Sequence, residues 1–168
     1  MAENVGQTNR PVADLPSWPE QKIRGHKLEG HRYTSKDFAE QEWSHVWTKV
    51  WLLLGAENEM PNPGDWQQEE VGRESILMVR QDDGAIKAYY NVCQHRGQRL
   101  VSEEKGHARR FICPYHSWAW TRDGQLDFVQ DADDFPQGTP CGKLTLREVR
   151  CETFAGFVWI NMNPDCVT

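Results

Sequence analysis

Four side chains in two short segments have the types and the spacing to hold metal. Cys93-Gln94-His95-Arg96-Gly97 and Cys113-Pro114-Tyr115-His116 each supply one thiolate and one imidazole, with seventeen residues between His95 and Cys113. A structural zinc site usually pairs Cys with Cys and His with His. Here each segment mixes the two types. If the two loops face one another, both thiolates can reach one iron and both imidazoles a second. That order suits a [2Fe–2S] cluster in which two His replace two Cys on one iron. Imidazole is neutral where thiolate is anionic, so the exchange makes reduction less costly, with potentials of roughly −150 to +300 mV for such centres. A mononuclear Cys2His2 zinc site, or buried Cys and His that bind nothing, are the competing readings.

The two segments need rigid elements to aim them, and the surrounding sequence reads mostly as strand. Ser75–Arg80 and Ala85–Val92 are apolar runs joined by the turn Asp82-Asp83-Gly84, a hairpin that ends at the first pair. Arg110–Cys113 and Ser117–Thr121 flank the second pair, and Arg122-Asp123-Gly124 turns the chain into Gln125–Val129. Residues 130–142 are acidic, with Pro136 and Pro140, and read as a loop. Leu144–Thr153 and Gly156–Asn161 read as a closing hairpin. Upstream, residues 1–33 read as an irregular arm, broken by Pro11, Pro16 and Pro19 and turned at Gly25 and Gly30. Trp18 in this arm suggests that it docks against something. A helix is predicted over 34–50. Thr34 or Ser35 caps it, and Phe38, Trp43, Val46, Trp47 and Val50 lie near one face. Residues 51–168 then form the cluster-bearing domain.

Composition narrows the function classes. The 168 residues carry a formal charge of −6, which leaves no basic stripe for nucleic acid. The longest strongly apolar run, Val50–Leu54, is far too short to span a membrane. The N-terminal stretch has no charged region followed by an apolar one, so the expected compartment is the cytoplasm. Five cysteines, an odd and sparse set, make a poor disulfide framework, and ligation explains Cys93 and Cys113 better. Cys141, Cys151 and Cys166 lack His partners at ligand spacing and read as structural or free thiols. Eight tryptophans are many for this length. Trp118 and Trp120 flank the second ligand pair, where they would either shield the centre from water or simply fill the core. Trp43, Trp47 and Trp51 exceed what the domain alone is expected to bury.

Asn91-Val92-Cys93-Gln94-His95-Arg96-Gly97, followed by Cys113-Pro114-Tyr115-His116-Ser117-Trp118, resembles the Rieske domain in the α subunit of ring-hydroxylating Rieske non-heme iron oxygenases. The flanks are similar as well, through Pro61-Asn62-Pro63-Gly64-Asp65-Trp66, Asp123-Gly124-Gln125-Leu126 and Phe154-Ala155-Gly156-Phe157-Val158-Trp159-Ile160-Asn161. The likeness covers roughly residues 33–164. Many members carry Gly after the second His, where this chain has Ser117; a small residue should be tolerated. The resemblance implies a mainly β, antiparallel Rieske [2Fe–2S] domain with a small metal-binding subdomain, preceded by an arm and a helix. Its ligands would be Cys93, His95, Cys113 and His116.

The resemblance also implies a one-electron relay. A ferredoxin or flavin reductase would donate electrons, and a mononuclear non-heme Fe(II) in a catalytic domain of the same or a neighbouring α subunit would accept them. No His follows His116, so the two-His-one-carboxylate set for that iron cannot be built downstream. His26 and His31, with Glu20, read as solvated arm residues. The chain by itself is therefore not expected to hydroxylate a substrate. A stand-alone Rieske ferredoxin and a zinc-stabilised binding module are the alternatives. Arg96 and Arg99 read either as neighbours of the cluster or as surface charge. Lys105, His107, Arg109 and Arg110 could meet an acidic partner, but Glu103 and Glu104 beside them favour a solvated hairpin tip.

Overall fold

Strand-forming sequence accounts for most of the chain, and the computed structural model arranges it in two antiparallel sheets. The structure describes residues 29–166; the arm up to residue 28, including Trp18 and His26, lies outside them. A seven-stranded sheet has the order β1-β10-β9-β4-β3-β2-β5 and a three-stranded sheet the order β6-β7-β8. The strands are β1 Leu52–Ala56, β2 Asp65–Val71, β3 Glu74–Arg80, β4 Ile86–Tyr90, β5 Lys105–His107, β6 Arg110–Ile112, β7 Ala119–Thr121, β8 Leu126–Phe128, β9 Glu148–Phe154 and β10 Phe157–Asn161.

Alternation along β3 divides the interior into two cores. Successive side chains of a strand point to opposite faces. Ile76 and Met78 therefore join Ile86, Ala88, Val149, Val158 and Ile160 on one face. Leu77 and Val79 join Tyr89, Trp66, Trp118, Trp120 and Leu126 on the other. This second core lies against the small sheet and includes Cys93 and Cys113. Both thiols are thus rooted in packed interior.

One strand goes unread in the sequence, and two readings need correction. The stretch Asp65-Trp66-Gln67-Gln68-Glu69-Glu70-Val71 is a full strand pairing with β3 over six residue pairs, although its polar content hides it. Lys105–His107 is the edge strand beside it, where His107 Nδ1 meets Asp65 at 2.9 Å; this strand replaces the expected hairpin tip. In the predicted strand Leu144–Thr153 only the part from Glu148 joins the large sheet. Upstream of it, Leu126 N donates to Leu144 O, and Leu146 N donates to Gly124 O. That segment spends its backbone groups on the small sheet and ties the two sheets together.

The predicted helix over 34–50 is shorter and differently shaped. His31–Thr34 forms a single helical turn inside the stretch read as arm. Lys36–Glu42 is the α-helix proper, capped by Ser35, whose hydroxyl accepts from Phe38 N. Trp43–Trp47 then widens to a π-turn, with Thr48 N bonded to Trp43 O. Trp43 causes the docking. Its ring lies so close to Gly72 in the β2–β3 turn that any Cβ there would collide with it. Arg73 covers the ring at 5.0 Å and pairs with Glu40 at 2.8 Å. None of the helical residues is fully buried, and Trp47 is 45% exposed.

Candidate metal centre

The two ligand loops have the same backbone construction. In the first, Cys93 N donates to Gln98 O and Gly97 N donates to Cys93 O. In the second, Cys113 N donates to Trp118 O and Ser117 N donates to Cys113 O. Each loop therefore folds back on its own cysteine. In each, the fourth residue after the cysteine is left-handed, Gly97 at φ 72° and Ser117 at φ 58°. Left-handed backbone is cheap for glycine and costs a residue with a Cβ roughly 1–2 kcal/mol. The position therefore favours glycine for backbone reasons, and Ser117 is strained there.

The loops are rooted differently. The first hangs from the end of β4, where Asn91 is buried and uses all its hydrogen-bonding capacity. It accepts from Leu100 N and Val101 N and donates to Val101 O and Ser75 Oγ. The second is the connection between β6 and β7, whose register pairs Ile112 with Ala119. The two loops meet tip to tip.

At the tips the rings of His95 and His116 stand edge to face, 4.7 Å between centroids. Trp118 reaches across from the second loop and stacks on His95, with ring planes 5° apart and centroids 4.4 Å apart. Tyr115 leans on His116 at 3.8 Å. The Nδ1 atoms of both histidines are buried and have no hydrogen-bond partner. Burying two polar nitrogens unpaired is costly, and both can coordinate metal. Burial holds His95 below the ordinary imidazole range, with the nearby His116 and Arg96 adding to the effect. A neutral ring is the form that binds metal.

Cys93 and Cys113 are buried neighbours in one core. Burial pushes the Cys93 thiol upward, and the backbone N–H of His95 and the indole N–H of Trp120 oppose that rise. The adjacent Cys113 adds to it. Two buried thiols in contact repel once both are ionised, unless a cation neutralises them.

A model of the Rieske [2Fe-2S] domain matches residues 50–143. The chain belongs to this family. The Rieske domain is similar to the carnitine monooxygenase oxygenase subunit of Escherichia coli (strain K12), at 39% identity over 81% of this chain and 36% of that protein. It is similar to the biphenyl 2,3-dioxygenase subunit alpha of Rhodococcus jostii (strain RHA1), at 31% identity over 89% and 34%. Among solved structures it resembles the apo form of a quaternary ammonium Rieske monooxygenase, with a TM-score of 0.78, 31% identity, and 84% and 41% coverage. The chain spans about a third of the length of the curated relatives it matches.

The donor set fits the cluster of a Rieske domain. Among the described residues no three His, Cys, Asp or Glu are placed to hold a single ion, whereas a binuclear centre asks for only two protein ligands per iron. The four residues singled out in the sequence meet in pairs, His95 with His116 and Cys93 with Cys113, and both imidazole Nδ1 atoms are without partners. Of the remaining cysteines, Cys151 packs against the other core, and Cys141 packs against the core that contains Cys93 and Cys113. Arg99 is taken by Glu70 at 2.7 Å on the surface, and Arg110 faces Asp127 at 3.6 Å. His31 is exposed and meets Glu29. From the sequence Trp118 reads as a shield or as core and not as a stack on His95, and Asn91 was not recognised as functional. Asn91 lies two residues before a ligand, but only the fold brings Leu100 and Val101 to its side chain.

Proposed function

We propose that Cys93, His95, Cys113 and His116 ligate the [2Fe–2S] cluster, with the thiolates on one iron and the imidazoles on the other. The observation that carries this assignment is the pair of buried, unpartnered Nδ1 atoms on facing histidines, on the same two loops as two neighbouring buried thiols. When bound, the cluster takes up and releases one electron at a potential raised by its neutral ligands. The chain's own residues hold the ligands still. Asn91 fixes the first loop, Trp118 fixes the plane of His95, and the core around Trp120 keeps water from the thiolates.

The domain, taken as residues 51–168, serves as the electron-accepting part of a ring-hydroxylating oxygenase α subunit. A ferredoxin or flavin reductase supplies electrons. A mononuclear iron in a catalytic domain of the same or a neighbouring subunit receives them. Phe154 is 73% exposed and Trp47 45%, apolar area that supports a covered role over a stand-alone ferredoxin. Among the described residues no helix is long and apolar enough to cross a membrane, and a cytoplasmic location is part of the same reading.

Low-temperature EPR of the dithionite-reduced protein tests the assignment. A rhombic S = 1/2 signal, with average g below that of an all-cysteine [2Fe–2S] cluster, is expected in the wild type and is lost in His116→Ala. A silent wild-type sample with stoichiometric zinc would replace this reading with the zinc-stabilised module.

A further inference from the structure

Trp51, Glu152, Phe154 and Trp159 line an open cavity of about 290 Å³ on the large sheet. None of the four proposed ligands lies on the strands that build it. Alternation puts Glu152 and Phe154 on one face of β9, and the register sets Trp159 of β10 directly opposite Glu152. Trp51 closes the cavity from the position just before β1. Trp159 Nε1 donates to Phe154 O at 3.4 Å, which holds the indole in place. Neighbouring rings usually pack on one another. Among the described residues, none of these three rings pairs with another ring, and the space between them stays open.

Elsewhere in the domain arginines cover rings, Arg73 over Trp43 at 5.0 Å and Arg147 over Tyr90 at 5.3 Å. Among the described residues no cation lies over Trp51, Phe154 or Trp159. The nearby Arg150 is engaged otherwise: its Nη1 donates to Cys166 O at 2.8 Å, and its Nη2 is 3.5 Å from Glu152. Three ring faces and a carboxylate attract a cation. The lining also selects among cations. Its one charged acceptor, Glu152, is already shared with Arg150. A primary ammonium with three N–H donors, or a guanidinium with five, would leave donors unpaired there. A quaternary ammonium has no donor to satisfy, and its methyl groups meet the rings.

We propose that this cavity binds a small quaternary ammonium cation, with Trp51, Phe154 and Trp159 around the methyl groups and Glu152 supplying the countercharge. Ligand pockets hold roughly 300–1,000 Å³, so the cavity suits a compact head group rather than a large molecule.

The test uses the full chain with its cluster bound and its tryptophan indoles labelled with ¹⁵N. Choline chloride is titrated against sodium chloride at equal ionic strength. Two further probes are 3,3-dimethylbutan-1-ol, which replaces the charged nitrogen with carbon, and ethanolamine, which carries N–H donors. Choline should shift the indole signals of Trp51 and Trp159 saturably, with a dissociation constant on the order of 1 mM. The neutral alcohol and ethanolamine should each bind roughly tenfold more weakly. Glu152→Gln should weaken choline and leave the alcohol unchanged, and Phe154→Leu, at an exposed position, should weaken choline while the remaining indole spectrum stays intact. Equal binding of choline and the alcohol would overturn the site, because the face would then be merely apolar. Undiminished choline binding in both variants would overturn it too. Absence of a saturable shift would refute it and leave this face to the covered role described above.

Discussion

Replacing Asn91 with alanine should loosen the first ligand loop at its base. The side chain is 3% exposed. It accepts from Leu100 N and Val101 N at 3.1 Å each, and donates to Val101 O at 2.8 Å and to Ser75 Oγ at 3.1 Å. It thus joins the two ends of a loop whose tip carries His95. Alanine strands two N–H groups and one carbonyl. A buried backbone group left without a partner costs roughly 1–3 kcal/mol. Leu100 is buried, but Val101 is only half-buried, so water reaches some of the freed groups. The expected loss is about 2–4 kcal/mol, a large share of the roughly 5–15 kcal/mol typical of a domain. Urea denaturation followed by tryptophan fluorescence measures it, and iron per chain after cluster reconstitution reports on the loop directly. Iron content should fall along with stability. Asn91→Asp separates the two sides of the clamp. It keeps both acceptor bonds but turns the donor into an acceptor facing Val101 O, and it should be at least as damaging. A loss below about 1 kcal/mol in Asn91→Ala, with full iron content, would refute the reasoning and assign the loop's order to its other contacts.

Ser117→Gly should relieve the left-handed strain at φ 58° and stabilise the protein by roughly 0.5–1 kcal/mol after the entropy of glycine in the unfolded chain is set against it; an unchanged or lower urea midpoint would contradict this. Cys151 makes stability fall at high pH. Burial, with Glu148 and Glu152 nearby, pushes its thiol from the usual 9.0 up to about 12, so between these values the unfolded chain releases a proton that the folded chain keeps. Stability is therefore fully present below about pH 9 and lost as pH rises towards 12, by about 4 kcal/mol at most. Urea midpoints at pH 8 and pH 11 should differ less in Cys151→Val than in the wild type, and equal slopes would exclude the thiol as the source.

The proposed ligand set was legible in the sequence because coordination chemistry is read from residue type and close spacing. Cys-x-His and Cys-x-x-His name their chemistry wherever the chain puts them. The hairpin formed by β3 and β4 was equally plain, since dense apolar runs around Asp82-Asp83-Gly84 encode it locally. Tertiary structure decided what depends on distant partners. The polar strand Asp65–Val71 exists because β3 and β5 pair with its backbone on either side, and hydrogen bonding to neighbours leaves no mark in its own composition. Glu148, and not Leu144, begins β9 because the preceding residues are taken by the small sheet. The helix ends in a π-turn where Trp43 fits over Gly72, a contact across twenty-nine positions of sequence. At the centre itself, residue types could name four candidate ligands. Only the fold could leave two imidazole nitrogens without partners, lay Trp118 flat on His95 and close Asn91 around Val101. Each of these is a relation between segments, and a single stretch of chain does not specify where another will lie.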